Sequence, residues 1–358
     1  MSFLITKQER IPFAALDKEL PGYLSDVERN AASIIADWLA GKDNFVIHTS
    51  GSTGKPKLIN LKRKLIEISA KTTAETFGLN KEDKLLCCLS LETIAGFMQV
   101  MRAVIAGCDL IIVAPSANPL KSLEDERIDF TAFVPLQIEA ILESGYGYIQ
   151  ALNRMKAIII GGALISESLV AKIQTYITAP VFQTYGMTET YTHVAIRRLN
   201  GPFPENEYHP LKEVKFSLDE RGCLVITAPV TEGEALITND LAKLNPDGSF
   251  KILGRWDNII NSGGIKINLE KVEEEVRKML RKDLIFFAAG VPDDKLGQKL
   301  VLVIEGKPWP DKEQAWFLEI LRERLGAYKS PKAILFKDKI ELTKSMKMGR
   351  KISNPEAF

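Results

Sequence analysis

The sequence predicts an α/β protein: a large N-terminal α/β part, then a short β-rich part, then a small α+β module at the C-terminal end. Three observations predict it. Between residues 44 and 186, short apolar runs alternate with stretches whose apolar residues recur at helical spacing, the pattern of a mostly parallel sheet covered on both faces. From about residue 211 the texture changes to strand-like runs joined by polar turns. After residue 257, two charged amphipathic stretches are interleaved with apolar runs. With 358 residues, 46% of them hydrophobic and 26% charged, the chain has room for about two domains and a sizeable core.

Taken in order, "NFVIHTS" (44–50) reads as a short apolar strand running into a glycine-rich turn, and "KLIEISAKTTAETFGL" (64–79) as a helix. "KLLCCLSL" (84–91) is a strand, "AGFMQVMRAVIAG" (95–107) a helix and "CDLIIVAP" (108–115) a buried strand. The alternation continues through "DFTAFVP" (129–135), "LQIEAILESG" (136–145), "MKAIIIGG" (155–162), "ISESLVAKIQTYI" (165–177) and "PVFQTYG" (180–186). "EVKFSLDERGCLVITAP" (213–229) places an Asp-Glu-Arg-Gly turn between two strand-like runs, a hairpin signal. Asn268 is a natural N-cap for the helix "LEKVEEEVRKMLRK" (269–282). "LIFFAAGVP" (284–292) and "KLVLVIEG" (299–306) are strands, and "KEQAWFLEILRERL" (312–325) is a further helix.

Composition narrows the function. A net charge of +1 argues against a nucleic-acid partner, which leaves a basic excess. Four cysteines in apolar stretches read as buried free thiols in a reducing compartment, and three histidines leave little for a His-based metal site. No apolar run reaches the ~20 residues that cross a bilayer, and the N-terminus meets charge too early for a signal peptide. These features predict a soluble, cytoplasmic protein without membrane insertion, and a monomer or homodimer is the expectation.

The most chemically loaded stretch is "TSGSTGKPK" (49–57). It is not a Walker loop, because Gly51 and Gly54 are too close together and Pro56 follows Lys55. It still offers hydroxyls, a glycine turn and a cation, a donor set suited to phosphate. Further along come "YGMTET" (185–190), "ITND" (237–240), "GRWDNIINSGG" (254–264) and a C-terminal lysine, in that order.

This ordered set resembles the AMP-forming acyl-CoA synthetases, adenylation domains and luciferases, over roughly residues 45–351. The resemblance implies a fold with residues 1–256 as the adenylate-forming domain (the β-rich part at about 211–256), its first subdomain abbreviated. Residues 257–358 are then a small mobile domain, with the hinge at Asp257. It implies ATP and CoA as co-substrates and Mg²⁺ as the metal cofactor. Thr49, Ser50, Gly51, Ser52, Thr53, Gly54 and Lys57 would grip the leaving pyrophosphate. Gly161, Gly162 and Ala163 would line the adenine side. In the "YGMTET" motif, Tyr185 would lay its ring against adenine, followed by Gly186 and Met187. Thr188 would reach the α-phosphate and Glu189 would bind the metal. Asp240 would take both ribose hydroxyls and Arg255 would reach the same ribose or the phosphate, with Asn239 standing where relatives carry glycine and tolerating a left-handed backbone. Ser262, Gly263 and Gly264 would shape the thiol channel in the second half-reaction. The catalytic lysine is Lys347 if Met346 replaces a glycine in a Thr-x-x-Gly-Lys pattern; Lys351 is the alternative.

Within the family, "LSLETIAG" (89–96) carries Glu92 and Thr93 where an aromatic pair is usual, in a region that normally walls the acyl pocket. Together with "YGMTETYTHVAIRRLN", "ITNDLAKL" and "RWDNIINSGGIKI", the short chain looks most like the o-succinylbenzoate–CoA ligases of menaquinone biosynthesis. The second carboxylate of such an acid needs a fixed donor, and Arg102, His193 and Arg197 are the candidates, with Thr93 and Gly96 nearby in the motif. An adenylating enzyme for another aryl or short acid, serving CoA or a carrier protein, and a catalytically impaired nucleotide-binding relative are the alternatives.

Overall fold

The computed structural model describes residues 2–17, 20–49, 57–123, 126–163, 165–281 and 284–340. The described part is α/β, as expected. Its largest sheet runs in the order Val181–Gly186, Ala157–Ile160, Phe130–Phe133, Lys84–Cys87, Asp109–Ile112 and Phe3–Ile5, and every pairing in this run is parallel. Antiparallel strands finish both edges: His193–Arg198 and His209–Pro210 beside Val181–Gly186, and Arg10–Pro12 beside Phe3–Ile5.

Alternate residues of the central strands enter opposite cores, because side chains point to opposite faces of a sheet. Leu85, Cys87, Leu110, Phe130 and Ile159 join one core with helices Asp26–Leu39, Arg63–Phe77 and Ile94–Ala106. Leu86, Ile111, Phe133, Ile158 and Ile160 join the other with helices Pro135–Glu143, Tyr146–Asn153 and Glu167–Tyr176. Burial on both faces explains why these strands read as continuous apolar runs.

One expectation needs correction. The strand Asn44–Thr49 does not join the parallel sheet; it pairs antiparallel with Lys57–Lys62, from Asn44↔Lys62 to Thr49↔Lys57. The reason is visible in its burial. Phe45 and Ile47 are buried while Val46 is 59% exposed, so the strand has one covered face, and one-faced burial is the signature of an antiparallel ribbon.

The hairpin expected at 213–229 forms between Lys215–Leu218 and Cys223–Thr227. Its turn is closed by the Gly222 N–H donating to the Asp219 carbonyl and the Asp219 N–H donating to the Cys223 carbonyl, both at 2.9 Å. The sheet continues with Leu236–Leu244 and Phe250–Arg255.

By its packing the chain divides into two compact units, Met1–Ser217 with Ile226–Leu236 and Leu244–Lys251, and Leu218–Val225 with Ile237–Lys243 and Ile252–Phe358. In the second, Asn268 caps the helix Leu269–Arg277, its side chain accepting from the Lys271 N–H at 3.1 Å. Strands Ile265–Asn268, Ile259–Ser262, Gly297–Glu305 and Phe286–Asp293 form a sheet, which Ala333–Lys337 extends in parallel beside Gly297–Glu305. The core of this sheet is apolar, with Ile260, Val272, Val276, Leu302 and Leu321 buried in it. All four cysteines are free and buried. Among the described residues no helix is long and apolar enough to cross a membrane.

Candidate active site

The "YGMTET" motif leaves the sheet at the C-terminal end of Val181–Gly186, where open α/β sheets hold ligands. Gly186 faces His193 across the antiparallel pair. A Cβ on Gly186 would lie 1.9 Å from the Thr192 carbonyl oxygen and 2.6 Å from the His193 Cα, so only glycine fits. A single 3-10 turn, Thr188–Thr190, follows. Thr190 is fully buried and pins it: its hydroxyl accepts from the Met187 N–H at 3.0 Å and donates to the Thr192 carbonyl at 2.7 Å. Tyr191 then adopts φ 63° and ψ −37°, an uncommon backbone for an aromatic residue. Its ring is buried in the core, and its hydroxyl accepts from the Lys62 N–H at 3.1 Å. A strained turn, fastened from inside at two points, thus presents Glu189 exposed and Thr188 half-buried.

The Tyr185 ring belongs to an aromatic cluster, edge-on to Phe250 at 5.2 Å between centroids and 5.9 Å from Tyr208. That packing fixes the ring at the strand end. Gly161, Gly162 and Ala163 follow the adjacent parallel strand Ala157–Ile160, so the structure brings this segment beside the "YGMTET" strand. A Cβ on Gly161 would lie 2.7 Å from the Thr184 hydroxyl, and Gly162 has φ +85°. The Ala163 carbonyl accepts from Gln183 at 3.5 Å. Thr49 and Lys57 are the paired residues on either side of the glycine-rich segment. Ser50, Gly51, Ser52, Thr53 and Gly54 lie outside the described residues, as do Met346, Lys347 and Lys351.

Of the acid-side candidates, Arg102 is the most unusual. It is 2% exposed, its Nη1 donates to Gln99 Oε1 at 3.0 Å, and its Nε has no partner. No ion pair joins it to a carboxylate among the described residues, and burial lowers its pKa to about 10. His193 is buried, with Nε2 3.4 Å from the Thr73 hydroxyl. Arg197 is tied to neutral neighbours: Nε donates to Gln183 Oε1 at 2.8 Å and the guanidinium lies 5.5 Å from the Tyr208 ring centroid. The Thr93 hydroxyl donates to the Ser90 carbonyl at 2.8 Å. A Cβ on Gly96 would lie 2.3 Å from that same carbonyl oxygen, so both residues hold the turn that starts helix Ile94–Ala106.

Burial, reinforced by the positive charge of Arg102, holds His193 well below its ordinary pKa and therefore neutral. The unfolded chain protonates this histidine near pH 6.5, so in acid the unfolded state binds the extra proton. Stability from this group is fully present above about pH 6.5 and falls as the pH drops below it, by up to about 1.4 kcal/mol per pH unit. Urea midpoints at pH 7 and pH 5.5 should therefore drop further for the wild type than for His193→Gln. An equal drop in both proteins contradicts a buried neutral His193.

In the second unit, Asp240 lies 9% exposed within the strand Leu236–Leu244. Its N–H donates to the Thr238 hydroxyl at 3.0 Å, and its carboxylate accepts from Arg255 Nη1 at 3.1 Å. Asn239 does not take the left-handed backbone expected of it: it sits in the same strand and is not among the positive-φ residues. The extended ladder sets its backbone, and its side chain instead accepts from Arg221 Nη1 at 2.9 Å. Asp257 grips Arg255 with both oxygens, at 2.8 and 2.7 Å, and this bonding holds its carboxyl below the ordinary range. Ser262 is buried at the end of Ile259–Ser262. Gly263 and Gly264 then form the two-residue turn to Ile265–Asn268, with φ 58° and 81°, as a type I′ turn requires.

The donor chemistry suits Mg²⁺. Among the described residues no three His, Cys, Asp or Glu side chains gather to cage an ion. A single exposed carboxylate, Glu189, fits a metal that keeps waters and substrate phosphate oxygens as its other ligands.

Residues 14–239 match the family model described as AMP-binding enzyme. The 2-succinylbenzoate--CoA ligase of Lactococcus lactis is 27% identical over 338 residues, covering 89% of this chain and 72% of that protein. The crystal structure of an acyl-CoA synthetase (AMP-forming)/AMP-acid ligase II-like protein from Dyadobacter fermentans superposes with a TM-score of 0.63 at 37% identity, covering 92% of this chain and 94% of that one. The o-succinylbenzoate coenzyme A synthetase of Bacillus subtilis, solved with ATP and magnesium ion, gives a TM-score of 0.71 at 23% identity over 85% of this chain and 68% of its own, a likeness of fold.

Proposed function

The chain belongs to the AMP-binding enzyme family, and on that premise we propose that it is an AMP-forming acid–CoA ligase acting on o-succinylbenzoate. The observation that carries the ligase reading is the strained, doubly pinned turn at the end of Val181–Gly186, which presents Thr188 and Glu189 at the strand end.

In the first step an oxygen of the acid attacks the α-phosphorus of ATP, the bond to the β-phosphate bridging oxygen breaks, and its electron pair leaves with pyrophosphate. The thiol of CoA, losing its proton, then attacks the acyl carbon, and AMP departs with the electron pair of the C–O bond. Thr188 is assigned to the α-phosphate and Tyr185 to the adenine. Asp240 is assigned to the ribose, Arg255 to the ribose or the phosphate, and Lys347, with Lys351 as the alternative, to the charge that develops during adenylation. Ser50 to Gly54 and Lys57 are assigned to the pyrophosphate, and Ser262 to Gly264 to the thiol. Glu189 would hold Mg²⁺, which offsets phosphate charge. Asp257 as a hinge would have to release its two-oxygen grip on Arg255 whenever its backbone turns.

Two facts support the particular acid. The Lactococcus lactis relative carries that substrate in its name. Arg102 is a buried guanidinium with only an amide partner among the described residues, and a second substrate carboxylate would supply the missing countercharge. The test is mass spectrometry of thioesters formed with ATP, Mg²⁺, CoA and a panel of o-succinylbenzoate, benzoate, succinate and fatty acids. o-Succinylbenzoyl-CoA should dominate. Arg102→Met, which replaces a buried charge by an apolar side chain and so should fold, should cut the preference for o-succinylbenzoate over benzoate by about tenfold or more. A wild type that accepts benzoate equally well contradicts the dicarboxylate reading. Acyl-AMP without thioester points to a carrier protein as acceptor.

A further inference from the structure

We propose that Arg221 is a positioning residue for Asp240, fixing the strand that presents this carboxylate to the nucleotide sugar. The proposal rests on the ribose role assigned to Asp240 above. The Arg221 guanidinium uses all three of its nitrogens on neighbours. Nε donates to Asp219 Oδ2 at 2.8 Å, Nη1 to Asn239 Oδ1 at 2.9 Å and Nη2 to the Thr238 carbonyl at 2.9 Å. It therefore spans from the hairpin turn to the two residues immediately before Asp240.

Asp219 is itself fastened, accepting from the Arg221 and Cys223 N–H groups at 2.9 Å, so the clamp has a fixed base. The same guanidinium lies 5.8 Å from the Trp256 ring centroid, and Lys266 Nζ lies 4.8 Å from it. Trp256 follows Arg255, whose Nη1 holds the Asp240 carboxylate. One arginine thus acts on Asp240 through the main chain before it and reaches the residue beside its ion-pair partner. A planar fork with several donors can do this; an ammonium cannot. Asn239 is the matching element on the strand, because its side-chain oxygen takes one prong of the fork.

The readout is discrimination between ATP and 2′-deoxy-ATP, which a merely structural role would not move. The wild type should prefer ATP in kcat/KM. Arg221→Gln should raise KM for ATP about tenfold, the loss of a charge-assisted hydrogen bond, with little change in kcat, and should bring the ATP to 2′-deoxy-ATP ratio towards one. Asn239→Ala, a truncation at a half-buried position that leaves the clamp's base intact, should move the same ratio in the same direction. In the Arg221→Gln background it should add only what the bond of Asn239 to the Asp257 carboxylate contributes, since the Arg221–Asn239 contact is already lost. Arg221→Lys should rescue only part of the effect. Unchanged discrimination in both single variants, or a loss confined to kcat and equal for both nucleotides, overturns the proposal. If the wild type turns over no acid at all, the ligase reading fails instead. The clamp is then judged by calorimetric binding of AMP against 2′-deoxy-AMP, with equal affinities in wild type and variants overturning it.

Discussion

Gly186→Ala is expected to retain about one hundredth or less of the wild-type adenylation rate and to lose about 3 kcal/mol of stability. The added methyl would lie 1.9 Å from the Thr192 carbonyl oxygen and 2.6 Å from the Thr192 carbonyl carbon and His193 Cα. These are backbone atoms of a paired strand, so no side-chain rotation relieves the clash. The pair Gly186–His193 has to open, and the turn that carries Thr188 and Glu189 moves with it. Gly147→Ala is the matched control. Gly147 lies in the helix Tyr146–Asn153 with nothing within 4 Å of the added methyl, so alanine there should stabilise by about 0.5–1 kcal/mol and leave the rate unchanged. Steady-state rates and urea midpoints for both variants decide the matter. A Gly186→Ala protein with wild-type activity would mean that the turn does not position the chemistry.

Glu189→Gln is expected to lower kcat by about 10²- to 10³-fold, the range seen when one electrostatic contact to developing charge is removed, and to raise the Mg²⁺ concentration needed for half-maximal rate. Glu189 is exposed on the turn Thr188–Thr190, so the isosteric amide should leave the fold and its urea midpoint unaltered. A magnesium titration that superposes on the wild-type curve would remove Glu189 from the metal site.

How much of this was legible in the sequence varies with the physics behind each element. The parallel sheet was legible because its strands are buried on both faces and their helices are not. The strand Asn44–Thr49 reads as part of that sheet because its apolar run, residues 45–47, is too short to show an alternation, and its antiparallel partner Lys57–Lys62 is no part of that reading. Val46 and Leu58, 59% and 66% exposed, look like core residues when read singly. The motifs were legible as an ordered set, while the way they are held was not. Nothing in "TETYT" announces that Tyr191 takes a positive φ, since the cost is borne by burial of its ring and by a bond to Lys62 far away in sequence. Thr190 did leave a trace, as the second hydroxyl of that run. Arg221 left none: "DERG" predicts a turn, and only the three-dimensional register shows that its arginine reaches Thr238 and Asn239. Asn239 misled for the same reason, since tolerance of a left-handed backbone is a property of the residue, whereas its extended conformation is a property of the strand around it.

The nucleotide balance of one reaction separates an AMP-forming acid–CoA ligase from other uses of ATP. The purified full chain is incubated with ATP, Mg²⁺, CoA and o-succinylbenzoate, and the nucleotides, pyrophosphate and thioester are quantified together, with the acid omitted as control. AMP, pyrophosphate and acyl-CoA are expected in equal amounts, all dependent on the acid, with no ADP. Formation of ADP and orthophosphate, or of AMP whether or not the acid is present, would contradict it.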